Sequence, residues 1–552
     1  MIQPGYIGPS HRATPPRSHM HSHRASTKYI YKTIRSSRIS TCSRPHSRLA
    51  MPETFTYQFD TPAFKGASTI NTGLFIGGKW VDSVDGDFID IVNPATGTRI
   101  TKVVAASAKD IDIAVDTAKQ AYKTAWGMRV PGKTRGRIIN KLADLIEKYA
   151  DEMAALESLN TGKIFNNSRR GDINSAIEVF RYYAGWADKI HGKVIETHEH
   201  ALAYTRHEPY GVCGQIIPWN FPFSMLSWKV APALATGNVV VLKPSEITPF
   251  TALRFADMLN EAGVPPGVVN IVTGLGPIAG QAISEHQKVD KVAFTGSTLV
   301  GRKIMEAAAR SNLKAISLEL GGKSPNIIFD DADLEQTVKW TAFGIFSNMG
   351  QVCAAGSRVF VQEGIYPKFI EAFTKAAQGL GTAIGDPFAK ESKHGPQVSK
   401  TQFDRVMGYI ESGKEAGANV AIGGHKHGNN GYFIEPTIFT DCRPDMKIVQ
   451  EEIFGPVAAV IKFKTEEEVI HMANDSIYGL ACAVFTENGS RALRVIHALE
   501  AGTGFVNCYN TVGPSVPFGG YKQSGIGRDL GQYALDTYTQ VKSVQVNIGQ
   551  KL

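Results

Sequence analysis

The sequence predicts an α/β fold built on an open, mostly parallel sheet. Two observations carry this prediction: short apolar runs alternate with helical stretches from about residue 70 onward, and the runs end in glycines or polar turns. Ligands of such sheets bind beyond the carboxyl ends of the strands, so those turns are the expected place of a site. The runs are 238–249, 268–274, 291–297 and 315–322.

The remaining elements follow from local patterns. Apolar residues at helical spacing predict one long amphipathic helix over 134–156. Residues 238–249 predict a buried strand, a turn and a helix that starts near Thr248 and Pro249. The stretch 541–549 alternates apolar and polar residues, which predicts a two-faced strand whose free edge a partner subunit could pair with.

Length and composition exclude several classes of protein. A chain of 552 residues exceeds one hydrophobic core, so two or three domains are expected. Uninterrupted apolar runs of the roughly 18 residues that a membrane span requires are missing, and we expect no membrane partner. The six cysteines show neither disulfide nor metal-ligand spacing, so we expect a reducing compartment and no metal site. They are Cys42, Cys213, Cys353, Cys442, Cys482 and Cys508.

The first 50 residues differ from the rest of the chain. They hold nine lysines and arginines and no acidic residue, so the net charge of +8 falls to −1 without them, and no basic surface indicates a nucleic acid partner. Their composition is typical of a mitochondrial transit segment, which would place the protein in the mitochondrial matrix. Alternatively, translation starts at Met51 and the protein is cytoplasmic. In either case we expect residues 1–50 to be a disordered basic leader.

One cysteine stands in a setting that suits either a core residue or a nucleophile. Cys353 lies in GQVCAAGSR among small residues, and the nearest histidines in the chain are His286 and His394. A buried cysteine usually acts as a small hydrophobe. A nucleophilic cysteine needs an activating group, which the adjacent sequence does not supply.

Two polar residues at element boundaries are further candidates. Glu319 ends the strand in SLELGG, where partial burial would raise its pKa as a general base requires; a structural ion pair is the alternative. Asn220 precedes a helical stretch and could donate a hydrogen bond to a developing oxyanion. The apolar residues that follow it, Phe221, Met225 and Trp228, could be plain core.

Three turns at strand ends could hold a nucleotide. Residues 294–304 and 274–280 have glycines that let backbone N–H groups approach a phosphate, and both also suit ordinary tight turns. Lys243 and Glu246 follow a buried strand, where they either form a solvated turn or bind a ribose through its hydroxyls. A carboxylate at that place would repel a 2′-phosphate, which favours NAD over NADP.

Taken together, and in their order along the chain, seven motifs resemble those of the aldehyde dehydrogenase superfamily, close to its NAD(P)-dependent, broad-specificity, non-acylating branch. The resemblance covers about residues 69–549, outside the leader. It implies a Rossmann-like open parallel sheet for NAD, a second α/β catalytic domain and a small β oligomerisation arm. Its motifs are PWNFPF, KPSEITP, FTGSTLVG, LELGGKSP, GQVCAAGSR, EEIFGPV and PFGGYKQSGIGRDLG.

The resemblance also implies the domain limits. The NAD-binding domain is expected to comprise 60–190 and 210–321, and the catalytic domain 322–523. The oligomerisation arm is expected at 191–209 and 538–552, so we expect a homo-oligomer, either a dimer or a tetramer.

Residue by residue, the resemblance implies a complete site without a metal. Cys353 corresponds to the catalytic thiol, Glu319 to the general base, and Asn220, with the backbone N–H of Cys353, to the oxyanion hole. The positions that correspond to NAD contacts are Trp219, Lys243, Glu246, Gly296, Ser297, Gly321, Glu452 and Phe454. The positions that fall on the substrate tunnel are Phe221, Met225, Trp228, Val512 and Phe518.

The implied reaction is oxidation of an aldehyde to its carboxylic acid with reduction of NAD, NADP being less favoured. The thiolate attacks the carbonyl, a hydride leaves to the nicotinamide, and water activated by Glu319 hydrolyses the thioester. We expect thiolate character from a nearby helix N-terminus and from the positive nicotinamide ring. Val512 stands where relatives that oxidise acetaldehyde often carry an aromatic residue, which predicts a wider tunnel mouth and bulkier aldehydes.

Three other functions stay open on the sequence. A thiol hydrolase or acyltransferase would use Cys353 without the cofactor positions. An acylating relative would pass the thioester to coenzyme A, and a general base at Glu319 argues against it. A non-catalytic member would not need Asn220, Glu319 and Cys353 together.

Overall fold

Runs of valine, isoleucine, leucine and alanine form the central strands of the computed structural model, which describes residues 53–551. The predicted leader, residues 1–50, lies outside the described residues. The strands are β1 (Thr54–Asp60), β2 (Lys65–Asn71), β3 (Leu74–Ile76), β4 (Lys79–Val81), β5 (Asp87–Asn93), β6 (Thr98–Ala105), β7 (Val194–Ile195), β8 (Ala201–Pro209), β9 (Val212–Ile216), β10 (Val239–Lys243), β11 (Val269–Ile271), β12 (Lys291–Thr295), β13 (Ala315–Glu319), β14 (Pro325–Ile328), β15 (Arg358–Gln362), β16 (Asn419–Ile422), β17 (Thr437–Thr440), β18 (Val457–Phe463), β19 (Tyr478–Gly479), β20 (Ala481–Phe485), β21 (Thr503–Val506), β22 (Tyr521–Lys522), β23 (Gly525–Ile526) and β24 (Thr539–Asn547).

The helices pack against the sheets through their apolar faces. They are α1 (Ala108–Thr124), α2 (Gly132–Lys148), α3 (Ala150–Thr161), α4 (Phe165–Asn167), α5 (Asn174–Trp186), α6 (Pro222–Thr236), α7 (Phe250–Ala262), α8 (Gln281–Glu285), α9 (Thr298–Arg310), α10 (Leu334–Phe346), α11 (Tyr366–Gly381), α12 (Lys400–Glu415), α13 (Lys447–Gln450), α14 (Glu466–Asn474), α15 (Gly489–Ala498) and α16 (Tyr533–Thr537). Shorter helical stretches are the π-helical Ser168–Ile173 and Gly276–Gly280 and the 3-10 turns Gly127–Arg129 and Ser347–Gly350.

The first large sheet has the strand order β23, β13, β12, β9, β10, β11, β3, β4. Its five central strands are parallel, and β23 and β3 pair antiparallel at either side of them. The strands predicted in the four apolar runs are confirmed as β10, β11, β12 and β13. The chain runs outward from β9 to β10 and β11, then returns to the other side of β9 for β12 and β13. A crevice therefore opens beyond the carboxyl ends of β9 and β12, where the strand order reverses.

The second large sheet has the strand order β16, β17, β18, β15, β14, β20, β21. All neighbouring strands in it are parallel except β16, which pairs antiparallel with β17 at the edge. The fold class expected from the sequence, α/β with open and mainly parallel sheets, is confirmed. Across residues 53–551 the helices are too short or too polar to cross a membrane.

A three-stranded antiparallel sheet joins the chain's last strand to its middle. β24 pairs along its whole length with β8, and β8 pairs on its other side with β7. The predicted strand at 541–549 is therefore present, but it is exposed on nearly every residue rather than two-faced. An apolar, exposed strand with a free edge is a surface that proteins normally cover.

The prediction of one continuous helix over 134–156 is wrong, because the segment forms two helices. It divides into α2 and α3 at Tyr149, whose backbone (φ −103°, ψ 20°) leaves the helical region. α2 has a single apolar stripe, as predicted, but α3 is buried on all sides from Met153 to Thr161. Apolar spacing continues through the break because both helices face the same core, so the sequence period does not reveal it.

Candidate active site

The crevice beyond the first sheet is a pocket enclosing about 590 Å³, including its open mouth. Its walls come from the segments that follow β9, β12 and β13 and from loops and helix α12 of the second half of the chain. The lining residues are Pro218, Trp219, Asn220, Thr295, Gly296, Ser297, Leu320, Gly321, Cys353, Gln402, Arg405, Glu452 and Phe454. The structure thus brings together eight of the predicted site residues, from parts of the chain that are far apart in sequence.

Cys353 lies in a loop whose preceding turn has several residues with positive φ. The 3-10 turn before it contains Asn348 and Met349 with positive φ (47° and 56°), followed by Gly350 at φ 71°. A Cβ at Gly350 would lie 2.0 Å from the carbonyl oxygen of Gly455, so only glycine fits there. The strained turn delivers the thiol to the pocket in a fixed position.

The helix N-terminus from which we expected thiolate character is not in the Cys353 loop itself, although α9 starts at Ser297 on the wall of the same pocket. Cys353 lies in the loop between the 3-10 turn and β15, and no helix of the described residues begins at it. Burial raises the pKa of the Cys353 thiol to about 12, with smaller contributions from the carboxylates of Glu452 and Glu319. The thiol is therefore protonated in the protein alone, and its activation requires a base or a cationic ligand.

Asn220 is tied to the same loop by hydrogen bonds. Its side-chain amide donates to the carbonyl oxygen of Gln351 (3.0 Å), and its own carbonyl oxygen accepts from the Asn348 amide (3.0 Å). An amide group has two N–H donors, so one remains for a ligand oxygen. Asn220 is 6% exposed and lines the pocket beside the thiol.

Glu319 is the last residue of β13, and its carboxyl group is buried without a hydrogen-bond partner in the described part of the chain. No protein group within the described residues donates a hydrogen bond to either of its oxygens. Burial is the main cause that raises its pKa well above the usual range, and Asp529 raises it further, while Lys229 and Arg528 oppose the shift. Lys229 itself forms a buried ion pair with Asp529 (2.8 Å). The ion pair that was the alternative explanation for Glu319 is therefore made by its neighbours instead.

Glu452 and Phe454 form the opposite wall. The Glu452 carboxylate accepts a hydrogen bond from the backbone N–H of Gly322 (3.0 Å), and burial raises its pKa to about 7. A Cβ at Gly321 would lie 2.4 Å from the same carboxylate, which explains the glycine. Phe454 packs edge-on against Trp219 with ring centroids 5.1 Å apart.

Gly296 and Ser297 place a helix start at the pocket. Ser297 is the N-cap of α9, and its hydroxyl accepts from the backbone N–H of Val300. The free N–H groups and dipole of such a helix start bind phosphate groups.

Lys243 and Glu246 lie just outside the pocket lining, at the end of β10. The Lys243 ammonium donates to the carbonyl oxygens of Pro244 (2.8 Å) and Gly274 (2.9 Å) and to the Glu246 carboxylate (3.1 Å). Burial lowers the pKa of Lys243, and Glu246 opposes that shift. Lys243 is paired in register with Ile216 of β9, so this turn is adjacent to the segment that carries Trp219.

The predicted tunnel residues separate into two environments. Met225, Trp228 and Phe518 are buried, and the rings of Trp228 and Phe518 meet edge-on at 5.5 Å. Phe221 is half-buried, and Val512 is 39% exposed.

Five lining residues were not predicted from the sequence: the apolar Pro218 and Leu320 and the polar Thr295, Gln402 and Arg405. Gln402 donates to the carbonyl oxygen of Phe454 (2.7 Å), and Arg405 donates to that of Glu452 (2.8 Å). Both lie on α12, far from any recognisable motif, so no local signal could reveal them. Thr295, in contrast, directly precedes Gly296 in the FTGSTLVG motif.

The pocket suits a dinucleotide on three observations. The α9 N-terminus can take a diphosphate, the carboxylates of Glu246 and Glu452 can accept hydroxyl groups of two riboses, and glycines at 296 and 321 leave room for close approach. The Cys353 thiol lines this cavity. The Glu319 carboxyl group, which has no hydrogen-bond partner within residues 53–551, directly precedes the lining residues Leu320 and Gly321. This fold and this set of side chains suit an oxidoreductase that binds a dinucleotide next to a cysteine.

Comparison with known proteins gives the family. The aldehyde dehydrogenase family model matches residues 80–544. An aldehyde dehydrogenase of Agaricus bisporus is 60% identical over 502 residues, which cover 91% of this chain and all of the relative. The mitochondrial aldehyde dehydrogenase of Homo sapiens is 52% identical over 480 residues, covering 87% of this chain and 92% of the relative. This chain belongs to the aldehyde dehydrogenase family.

Solved structures agree. The NAD+ complex of an aldehyde dehydrogenase from Bacillus cereus superposes with a TM-score of 0.85 at 50% identity, covering 87% of this chain and 97% of the other. A betaine aldehyde dehydrogenase from Staphylococcus aureus, also in complex with NAD+, superposes with a TM-score of 0.85 at 40% identity, covering 88% and 96%. The chain is an NAD-dependent aldehyde dehydrogenase, which oxidises an aldehyde to its carboxylic acid.

Proposed function

We propose that Cys353 is the nucleophile of this reaction and Glu319 its general base. Glu319 takes the thiol proton, directly or through water, and the sulfur attacks the aldehyde carbon to form a thiohemiacetal. NAD, when bound, accepts the hydride of that carbon. Glu319 then releases the thiol proton to solvent and deprotonates the water that hydrolyses the remaining thioester, and this step releases the carboxylic acid and the thiol.

Asn220 is proposed as the oxyanion donor. The free N–H of its amide and the backbone N–H of Cys353 stabilise the negative oxygen during attack and again during hydrolysis. Its hydrogen bonds to Gln351 and from Asn348 support this role, because they fix the amide relative to the thiol loop before a substrate arrives.

The single observation that carries this assignment is the Glu319 carboxyl group. Burial without a hydrogen-bond donor is costly, and such groups cluster at functional sites. The direct test mixes purified protein, NAD and an aldehyde and follows absorbance at 340 nm. A rise is expected; hydrolysis of a thioester or ester without any rise would support the thiol hydrolase instead.

We also propose which residues bind the cofactor. Trp219, Lys243 and Glu246 take the adenosine side, and Gly296 and Ser297 the diphosphate. Gly321, Glu452 and Phe454 take the nicotinamide ribose and ring.

NAD is proposed as the preferred cofactor over NADP. All three ammonium hydrogens of Lys243 already have acceptors, and the Glu246 carboxylate would repel a 2′-phosphate. Measuring kcat/KM with both cofactors tests this, and a higher value with NADP would contradict it.

For the substrate, we propose bulky aldehydes that enter past Val512 along Phe221, Met225, Trp228 and Phe518. The exposure and small size of Val512 support a wide mouth. A series from acetaldehyde to hexanal and benzaldehyde tests this proposal; a steady fall of kcat/KM along the series would contradict it.

We infer that the chain forms a homo-oligomer through the β7, β8 and β24 arm, within 191–209 and 538–552. The exposed apolar side chains and free edge of β24 support this inference. The division into 60–190 with 210–321 and 322–523 is supported by the separate strand sets of the two large sheets. Light scattering at several concentrations tests the oligomer, and a monomer at every concentration would contradict it.

For localisation, we propose the mitochondrial matrix if residues 1–50 act as a transit segment and the cytoplasm if translation starts at Met51. Relatives named as mitochondrial in Homo sapiens and Sus scrofa support the first alternative. N-terminal sequencing of the native protein distinguishes the two start sites.

A further inference from the structure

A buried polar face runs along the end of α3 and the residues just after it. Glu157, Asn160 and Lys163 are each at most 2% exposed, although none of them lines the pocket. Polar and charged side chains are seldom buried so completely unless specific partners hold them. We name these three residues the α3 platform.

Glu157 joins the starts of two helices. One carboxylate oxygen accepts from the backbone N–H of Phe223 in the first turn of α6 (3.3 Å), and the other accepts from the hydroxyl of Thr251 in the first turn of α7 (2.9 Å). The first N–H groups of a helix have no partner within the helix, and a negative charge there is favourable. Glu157 therefore fixes α6 relative to α7.

Asn160 holds the turn between β10 and α7. Its amide donates to the carbonyl oxygen of Ile247 (2.9 Å), and its side-chain oxygen accepts from the backbone N–H of Phe250 (3.1 Å). The residue before Ile247 is Glu246, the proposed ribose ligand. Asn160 therefore fixes the backbone on which that ligand stands.

Lys163 holds the segment before α6. Its ammonium donates to both carboxylate oxygens of Asp172 (2.8 Å each) and lies 4.1 Å from the ring centroid of Phe221. Asp172 in turn accepts from the hydroxyl of Ser224 (3.2 Å). Phe221 directly follows Asn220, so Lys163 anchors the chain on both sides of the helix start next to the proposed oxyanion donor.

We propose that the α3 platform positions two parts of the site independently. Lys163 fixes the position of the Asn220 amide, which acts in the chemical step, and Asn160 fixes the turn that carries Glu246, which binds NAD. The platform touches neither substrate nor cofactor, so its members are positioning residues. Displacements of about 1 Å far from the chemistry can cost roughly 100-fold in rate. This inference rests on the proposed roles of Asn220 and Glu246.

The test compares Lys163→Met and Asn160→Leu, with rates normalised to the folded fraction. For Lys163→Met we expect kcat to fall about 10- to 100-fold with KM for NAD within about twofold. For Asn160→Leu we expect the reverse pattern, KM for NAD raised about tenfold and kcat within about threefold. Lys163→Arg, which keeps the positive charge, should recover most of the loss in kcat.

The matched control is Lys314→Met. Lys314 is also a buried lysine, bonded to the Ser284 carbonyl oxygen and the Ser311 hydroxyl, but it precedes β13 and thus lies at the opposite end of that strand from Glu319. Both kinetic constants should stay within about twofold of wild type, because the loss of a buried lysine there affects stability alone.

Equal changes in kcat and KM in both platform variants, or a control as impaired as Lys163→Met, would overturn the proposal in favour of a purely structural role. If Lys163→Met does not fold, Ser224→Ala removes one bond to Asp172 instead; a lower kcat at unchanged KM supports the proposal, and an unchanged kcat contradicts it. Wild-type protein that fails to reduce NAD would contradict the proposed function, which is a different result.

Discussion

The cofactor side and the thiol side of the pocket are built on opposite principles. On the cofactor side, the Lys243 ammonium donates to three oxygens and the Ser297 hydroxyl caps α9, so these two side chains have partners before any ligand arrives. On the thiol side, Glu319 has no donor among the described residues, and burial raises the pKa values of Glu319 and Cys353. Satisfied groups make a rigid binding surface, whereas desolvated groups are reactive and cost stability.

Substitutions on the two sides should therefore affect different kinetic constants. A change on the cofactor side removes binding that the ground state and the transition state share, so it should act on KM. A change on the thiol side removes stabilisation that exists only during reaction, so it should act on kcat.

Cys353→Ala should show the largest effect. Loss of the nucleophile should lower NADH formation by about 10⁴-fold or more, while NAD binding, followed by protein fluorescence, stays within about threefold. Cys508→Ala, at a second partly exposed cysteine, serves as the control and should keep wild-type rates. Substantial aldehyde oxidation by Cys353→Ala would remove Cys353 from the mechanism.

Asn220→Ala should lower kcat by about 100- to 1,000-fold, as expected for loss of an oxyanion donor. The KM for NAD should change little, since the amide serves the thiol side. Steady-state kinetics over a matrix of aldehyde and NAD concentrations check both values. A variant with full kcat and an impaired KM for NAD would place Asn220 on the cofactor side.

The pH dependence reports the raised pKa of Glu319. A base must be ionised, so kcat should be low at acidic pH and rise as pH passes that pKa, above the usual carboxyl range. Stability changes in the opposite direction: the contribution of this group is complete below the unfolded-state pKa near 4.5 and is lost as pH rises through the folded-state pKa. Profiles of kcat against pH check this, and the same rise in Glu319→Gln would assign the ionisation to another group.

Glu246→Ala should have a smaller effect, confined to binding. Loss of a hydrogen bond from a ribose to a charged group should raise the KM for NAD about tenfold and leave kcat within about twofold. The ratio of kcat/KM for NADP over NAD should rise, because the repulsive charge is gone. A fall in kcat with unchanged KM would break the division between the two sides.

The sequence was sufficient for most of the fold and for the residues that stand in local motifs. β10 to β13 follow from apolar runs, whereas Cys353, Glu319 and Asn220 were singled out by the resemblance to a family, since their local sequence also suits core or ion-pair residues. Gln402 and Arg405 could not be found, because they reach the pocket from the first two turns of α12 through tertiary packing alone.

Two other features depended on three-dimensional context. The break at Tyr149 could not be predicted, because both helices bury apolar residues at the same period. The turn before Cys353 was also not predicted: it is a strained 3-10 turn, and no local pattern indicates the positive φ values of Asn348 and Met349. In both places tertiary contacts override what the local sequence prefers.

The most direct test of the thiol-side account is intact-mass spectrometry of Glu319→Gln after mixing with NAD and benzaldehyde. The account predicts that acylation slows, because Glu319 no longer takes the thiol proton, and that hydrolysis stops. On prolonged incubation the protein therefore gains the mass of one benzoyl group, forms about one NADH per site, and shows neither change when Cys353 is also replaced by alanine. Turnover at the wild-type rate without acylated protein would contradict it.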